Sequence, residues 1–424
     1  MYLEHVTIDN FRAISNLELR FKKGVNLLIG DNGAGKTSIL EALSVGLAGY
    51  LIGITGVSIR GIQQTDVRMT TAKLADASSA ISYNTPVTVK CNANIGGVKF
   101  EWTRFRQDQS SESRTRIENR EIVHYAKGIS NIVESTLPLL RYFGTSRISQ
   151  PKREDSGSSL KKKLNDRRCG YIGCLDNALD DKAIRAWCLK MEMEAFHRNS
   201  EIQEYEAFKR LVSSIMKSMS ELDYYPEVYY SREFEDIAFS NGSEVLPISF
   251  LSAGYQSILW IAMDIAYRMA IMNPHHDNYH EIPGIVLIDE LDMHLHPKWQ
   301  WNAIKVLEDN FPNIQFIIAT HSPILISSCK TEHLIHIDDS HHVDYPQNAY
   351  AFSIEDVVEF VQGSTGVPYE IRELKTAFDD ALTICDLNTA RTIVDRMIEK
   401  FGADNSEVKI ALAELDAEET MCEE

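Results

Sequence analysis

The residues Gly30-Asp31-Asn32-Gly33-Ala34-Gly35-Lys36-Thr37 constrain this chain more than any other feature, because they fit the phosphate-loop pattern G-x-x-x-x-G-K-[ST]. The apolar run Val25, Leu27, Leu28, Ile29 precedes them, and a helical stretch opening at Ser38 follows. That context of buried strand, glycine loop and helix is the one the pattern needs. Glycines let the backbone wrap a phosphate chain so that successive N–H groups and the helix N-terminus face negative charge. Lys36 would then neutralise the β and γ phosphates of ATP, and the Thr37 hydroxyl would ligate Mg²⁺.

The strand before the loop is the third of a series. Leu3, Val6 and Ile8, then Leu17, Leu19 and Phe21, alternate with polar residues and predict two half-buried strands. Val87 to Lys90 and Val98 to Trp102 flank Asn94-Ile95-Gly96-Gly97, which predicts a hairpin. A helix is expected near 120 to 135. From 150 to 245 the character shifts to a polar, basic stretch and then a helical pattern over Ala183 to Met219, which predicts a compact helical insert. A buried helix is expected from Gly254 to Ile271, followed by strands at Gly284 to Ile288, Ile314 to Ala319 and His333 to Ile337. Strands alternating with helices imply a mainly parallel sheet covered on both faces. Beyond Tyr350 the pattern is helical, with faces at Ile371, Leu374, Phe378 and Leu382, then at Ile393, Val394, Met397 and Phe401; the acidic end is expected to fray.

Three more segments carry chemistry. The strand Ile285 to Ile288 ends in Asp289 and Glu290; beside a phosphate loop, Asp289 would hold Mg²⁺ through water and Glu290 would polarise the attacking water. His321, just past the strand Ile317 to Ala319, stands where it could sense a γ-phosphate. Leu251 to Gln256 opens the buried helix, so Ser252 and the backbone around Gly254 form a second anion site at a helix N-terminus.

Composition narrows the class. A net charge of -18 argues against wholesale wrapping of nucleic acid and leaves room for a local patch only, with Lys161 to Lys163, Arg167 and Arg168 as the candidate. The cysteines at 91, 169, 174, 188, 329, 385 and 422 contain no C-x-x-C pair and read as free thiols. No run reaches the roughly 18 apolar residues of a membrane span, and the first residues lack the pattern of a signal peptide, so a cytoplasmic protein is expected.

The order of phosphate loop, LSAGYQ, LIDELDMHLHP and ATHSP resembles the ABC ATPase superfamily in its soluble RecF/SMC-like branch, over residues 1 to 345. The resemblance implies an α/β fold: an ABC-type, mainly parallel sheet flanked by helices, with an antiparallel portion, a helical insert and a C-terminal helical tail. It divides the chain at 1–149, 150–245, 246–345 and 350–424. It also implies that two copies sandwich ATP, with Ser252, Gly254 and Gln256 of the signature acting across the pair. Glu290 would be the base, Asp292 to Pro297 the inter-subunit loop and His321 the switch, while the usual Q-loop glutamine has Gln150 and the stretch Thr145 to Arg147 as candidates.

Within that branch, LRYFGTSR, GYIGCLDNALDDKAIRAW, LDMHLHPKWQ and the tail are similar to PtuA-type ATPases of anti-phage defence, in Septu and retron-associated versions. That similarity implies a separate HNH nuclease partner, assembly beyond a dimer and, for retrons, a reverse transcriptase with its nucleic acid. The competing reading is a stand-alone RecF-like repair ATPase that grips DNA. A transporter motor fits the insert and tail poorly. A nuclease of the OLD type would need a metal-binding carboxylate set after His321, where only Asp338-Asp339 follows a strand.

Overall fold

The computed structural model describes residues 1–31, 33–73, 79–145, 166–274, 276, 278–330, 333–346, 353–358 and 369–423. They form two compact units, Met1–Val357 and Val358–Glu424.

The first unit is built around a six-stranded sheet. Its order is Val343–Asp344, Leu334–Ile337, Val25–Ile29, Ile314–Ala319, Gly284–Asp289, Leu139–Phe143. All neighbours run parallel except the edge pair closed by Val343–Asp344. The four strands from Val25 to Phe143 in that order are buried at every position, as a sheet covered on both faces demands. The apolar pattern announces neither the two-residue edge strand Val343–Asp344 nor Leu139–Phe143, which Arg141 interrupts. That guanidinium is wholly buried and bonded to Asp264 at 2.7 Å, while Arg268 meets the same carboxylate oxygen at 2.8 Å. Burial pushes the Asp264 carboxyl up, yet the two guanidiniums hold it below its ordinary range. Arg141 also donates to the carbonyls of Asp176 and Ala178, and Arg268 to that of Gly170. One buried triad therefore ties the sheet edge, the helix Ala253–Met272 and the segment 170–178 together.

The second sheet is antiparallel, in the order Ile14–Arg20, Tyr2–Phe11, Val87–Ile95, Val98–Arg106, Arg116–Glu118. Its alternating burial is the expected half-buried pattern, and the hairpin turns at Gly96 and Gly97 with φ of 61° and 88°. The helix after the phosphate loop, Lys36–Leu51, is packed on this sheet. A Cβ at Gly46 would sit 2.5 Å from the Cys91 sulfur, and Gly46 accepts the Trp102 indole N–H at 2.8 Å. Small residues thus let helix and sheet approach.

The region expected as a helical insert holds the helices Asp181–Arg198 and Gln203–Ser220, and also a three-stranded antiparallel sheet, Glu227–Ser231, Asp236–Ser240 and Val245–Pro247. Trp187 stands edge-on to Tyr205, Phe208 and Tyr267 at 5.2–5.8 Å between centroids and anchors both helices to Ala253–Met272.

The second unit is three helices, Tyr369–Thr383, Leu387–Phe401 and Ser406–Glu423, around Phe378, Val394, Met397, Val408 and Leu415. The acidic end runs as helix to Glu423, and Val408, Ala411 and Leu415, earlier in that helix, pack into the core of the unit. No helix among the described residues is long and apolar enough to cross a membrane.

Candidate functional site

Parallel strands end at the same level, and here the ends gather the chemistry. Leu28 pairs with Ala319, Ala319 with Asp289, and Phe143 with Ile288. The phosphate loop, Thr320-His321, Asp289-Glu290 and Gly144-Thr145 therefore follow one another along the carboxyl edge of the sheet, where ligands of α/β proteins bind.

The loop itself is left-handed at Gly30, Gly33 and Gly35, with φ of 145°, 104° and 83°. A Cβ at Gly30 would lie 2.1 Å from the Ile337 carbonyl oxygen, so no other residue fits there. Ala34 is buried and Asp31 exposed, Ser38 lies in the first turn of the helix, and Asn32 is outside the described residues. The Lys36 ammonium donates to the carbonyls of Gly30 and Asp31 at 2.8 and 2.9 Å. Burial lowers it to about 8, against the opposing pull of Asp289, Asp31, Glu290 and Asp292. One residue on, the Thr37 hydroxyl donates to Asp289 Oδ2 at 2.9 Å. A hydroxyl beside a buried carboxylate offers the hard oxygens Mg²⁺ prefers. No group of three or more His, Cys, Asp or Glu among the described residues forms a metal cage.

Glu290 has φ of 50°, rare for a side chain with a Cβ, and its N–H is held by the Ala319 carbonyl at 2.9 Å. The chain turns at Glu290, directly after the strand Gly284–Asp289 ends. His321 is partly buried; burial, then Lys36, push its imidazole below the ordinary range, while Asp292, Glu290 and Asp31 pull the other way. Neutral imidazole is the form favoured at pH 7.

The signature residues sit differently. Ser252 caps the helix Ala253–Met272 with its backbone while its side chain makes no cap hydrogen bond and is exposed. The Gln256 amide turns back onto the Leu251 carbonyl at 2.8 Å, so it braces its own loop. Gly254 lies against the loop after Glu290: a Cβ there would come within 2.7 Å of the His294 carbonyl oxygen. Lys36, Thr37, Asp289, Glu290 and His321 are thus gathered in one place, and the signature turn packs on the following loop.

Sequence reasoning passed over an ion-pair cluster beside the loop. Arg12 meets Glu41 of the phosphate-loop helix and Asp66 at 2.9 Å, and Arg60 meets Glu41 at 2.9 Å. The turn that presents Arg12 has positive φ at Asn10 and Arg12, which the sequence signals only faintly as an asparagine after a strand. Of the candidate basic patch, Arg167 donates to the Ser135 carbonyl at 2.7 Å and Arg168 pairs with Asp166 at 2.6 Å, so both are engaged within the chain. Lys161 to Lys163 fall outside the described residues, as do Arg147 and Gln150 among the Q-loop candidates; Thr145 is described and exposed. Described cysteines are free thiols.

Over residues 5–223 the chain matches a family model described as an AAA domain. Among named relatives, the retron Vc95 probable ATPase of Vibrio cholerae serotype O1 biovar El Tor is 27% identical over 386 residues, covering 78% of this chain and 72% of that protein. The Septu protein PtuA of Bacillus thuringiensis is 24% identical over 407 residues, covering 90% of this chain and 89% of that protein. Among solved structures, the Smc head bound to the C-winged helix domain of ScpA aligns with a TM-score of 0.49 at 16% identity, over 82% of this chain and 96% of that one.

Proposed function

The chain belongs to the AAA domain family, and from that premise we propose that it binds and hydrolyses ATP as a pair of copies and thereby controls a partner nuclease in anti-phage defence. The observation that carries the ATPase reading is the single row at the sheet edge, where Lys36, the Thr37–Asp289 couple, Glu290 and His321 stand together.

In this reading the glycine loop and Lys36 bind the phosphates, and the backbone N–H groups orient them. Thr37 and Asp289 are the residues that would hold Mg²⁺, which when bound supplies positive charge to the β and γ phosphates. Glu290 takes the proton of the attacking water, and neutral His321 offers a ring nitrogen to the γ-phosphate end. Ser252 is exposed, and the chain has one phosphate loop and one signature. In this reading the signature covers the phosphate loop of a second copy.

The defence role rests on the retron and Septu relatives, at 24–27% identity over most of the chain. It brings with it a separate HNH-type nuclease as partner and, in a retron setting, a reverse transcriptase with its nucleic acid; direct DNA contact belongs to the same proposal. The test is hydrolysis and light scattering on the purified chain with ATP and Mg²⁺. ATP-dependent pairing and phosphate release are expected, with no cleavage of DNA by this chain alone. Glu290→Gln is expected to bind ATP, lower turnover by about 10²-fold and hold the pair closed. Wild-type turnover in that variant would assign the base elsewhere.

A further inference from the structure

Hydrogen bonds tie the segment that carries His321 to the loop 291–296, on which the signature turn packs. Thr320 donates its hydroxyl to Asp292 Oδ1 at 2.6 Å and accepts the Ser322 N–H at 3.0 Å. Ser322 in turn donates its hydroxyl to Gln300 Oε1 at 2.6 Å, and Gln300 Nε2 donates to the Leu295 carbonyl at 2.9 Å. Thr320 and Ser322, which flank His321, are both buried. Leu295 follows His294, whose carbonyl is the surface that Gly254 of the signature turn lies against.

Gln300 belongs to neither loop. It stands in the first turn of the helix Pro297–Asn310 and gives the His321 loop a second tie to the loop 291–296, beside the direct bond from Thr320 to Asp292. Its carboxamide offers Ser322 an acceptor and the Leu295 carbonyl a donor at the same time, which neither methionine nor an ionised glutamate can do. A plain helix cap does not need it, because Ser322 already accepts the Leu325 N–H with its own oxygen.

We propose that Gln300 is a positioning residue that makes the His321 loop and the signature turn of one chain move as one body. This rests on the ATP-bridged pair above. In such a pair His321 serves the ATP held by its own phosphate loop, whereas Ser252 and Gly254 serve the ATP of the other copy. A change at one γ-phosphate is then passed through Ser322, Gln300 and Leu295 to the signature closing the second site. Hydrolysis is cooperative in ATP, and Gln300 is a joint of that coupling together with the Thr320–Asp292 bond.

The experiment is ATP hydrolysis against ATP concentration for the full chain, Gln300→Met and Gln300→Glu, with ATP affinity measured separately in the Glu290→Gln background. Methionine keeps the volume and loses both hydrogen bonds; glutamate keeps the acceptor for Ser322 and sets a carboxylate oxygen against the Leu295 carbonyl. Both are expected to lower kcat on the order of tenfold, leave ATP affinity within about twofold and bring the Hill coefficient to one. Ser322→Ala should lose a similar amount, and the double variant with Gln300→Met no more than either alone, since residues of one network are not additive.

Wild-type kcat and Hill coefficient in Gln300→Met would overturn the proposal. So would reduced thermal stability with unchanged kcat and cooperativity per folded chain, or losses that multiply in the double variant. A wild-type Hill coefficient of one would overturn the coupling and leave the ATPase reading standing. A wild-type chain as inactive as Lys36→Ala would overturn the ATPase reading itself, and the joint with it.

Discussion

Lys36 sets the terms at the residue scale. Its ammonium is almost wholly buried and held by two carbonyls, and burial brings it to about 8. The charged form is the one that binds phosphate, and it is the form present below that value. ATP affinity is therefore expected to be flat between about pH 6.5 and 7.5 and to weaken by up to tenfold per unit above about pH 8. Titration of ATP binding across that range reads it directly, and an affinity that rises with pH would contradict it. Lys36→Ala should abolish binding at every pH, since no other described lysine contacts the loop carbonyls. Glu290 makes the complementary point: its positive φ costs of order 1–3 kcal/mol and is retained where the chain turns directly after the strand Gly284–Asp289 ends.

Elements join these residues, and the joints were the least legible part of the sequence. Gly254 is the test case. A Cβ there meets backbone, the His294 carbonyl at 2.7 Å, so the signature turn or the loop 291–296 must shift. Gly254→Ala should cost about 1–3 kcal/mol of stability, measured by urea unfolding, and should reduce turnover more than tenfold while ATP affinity holds. Equal losses in affinity and turnover would place Gly254 in the binding step instead. The strands Gly284–Asp289 and Ile314–Ala319 could be read because every residue faces a covered side and is apolar or nearly so. Leu139–Phe143 could not, because the residue that neutralises Arg141 stands 123 positions later. The sheet 227–247 escaped for another reason: strands of five, five and three residues are too short for alternation to separate from helix. Motifs with fixed internal spacing, such as the phosphate loop, survive reading one residue at a time; contacts such as Gly254 with His294 or Ser322 with Gln300 exist only after folding.

At the scale of the whole molecule, two units carry separate cores. Lys36, Thr37, Asp289, Glu290, His321 and the signature all lie in Met1–Val357. The helices of Val358–Glu424 bury Ile371, Phe378, Val394, Met397, Val408 and Leu415 against one another, with Leu374, Leu382 and Ile398 packed around them. Since that apolar surface is satisfied within the tail, removing it takes no core residue from the first unit. A chain ending at Val357 is therefore expected to bind ATP with affinity within about twofold of the full chain and to pair on ATP, because nothing in the phosphate row is lost. If the tail serves assembly, light scattering on the shortened Glu290→Gln chain with ATP should stop at a pair where the full chain forms larger species. Loss of ATP binding on truncation would place part of the nucleotide site in the tail and overturn the division. Larger species persisting without it would move the assembly surface into the first unit, where the exposed Phe196 and Phe250 would be the next residues to substitute.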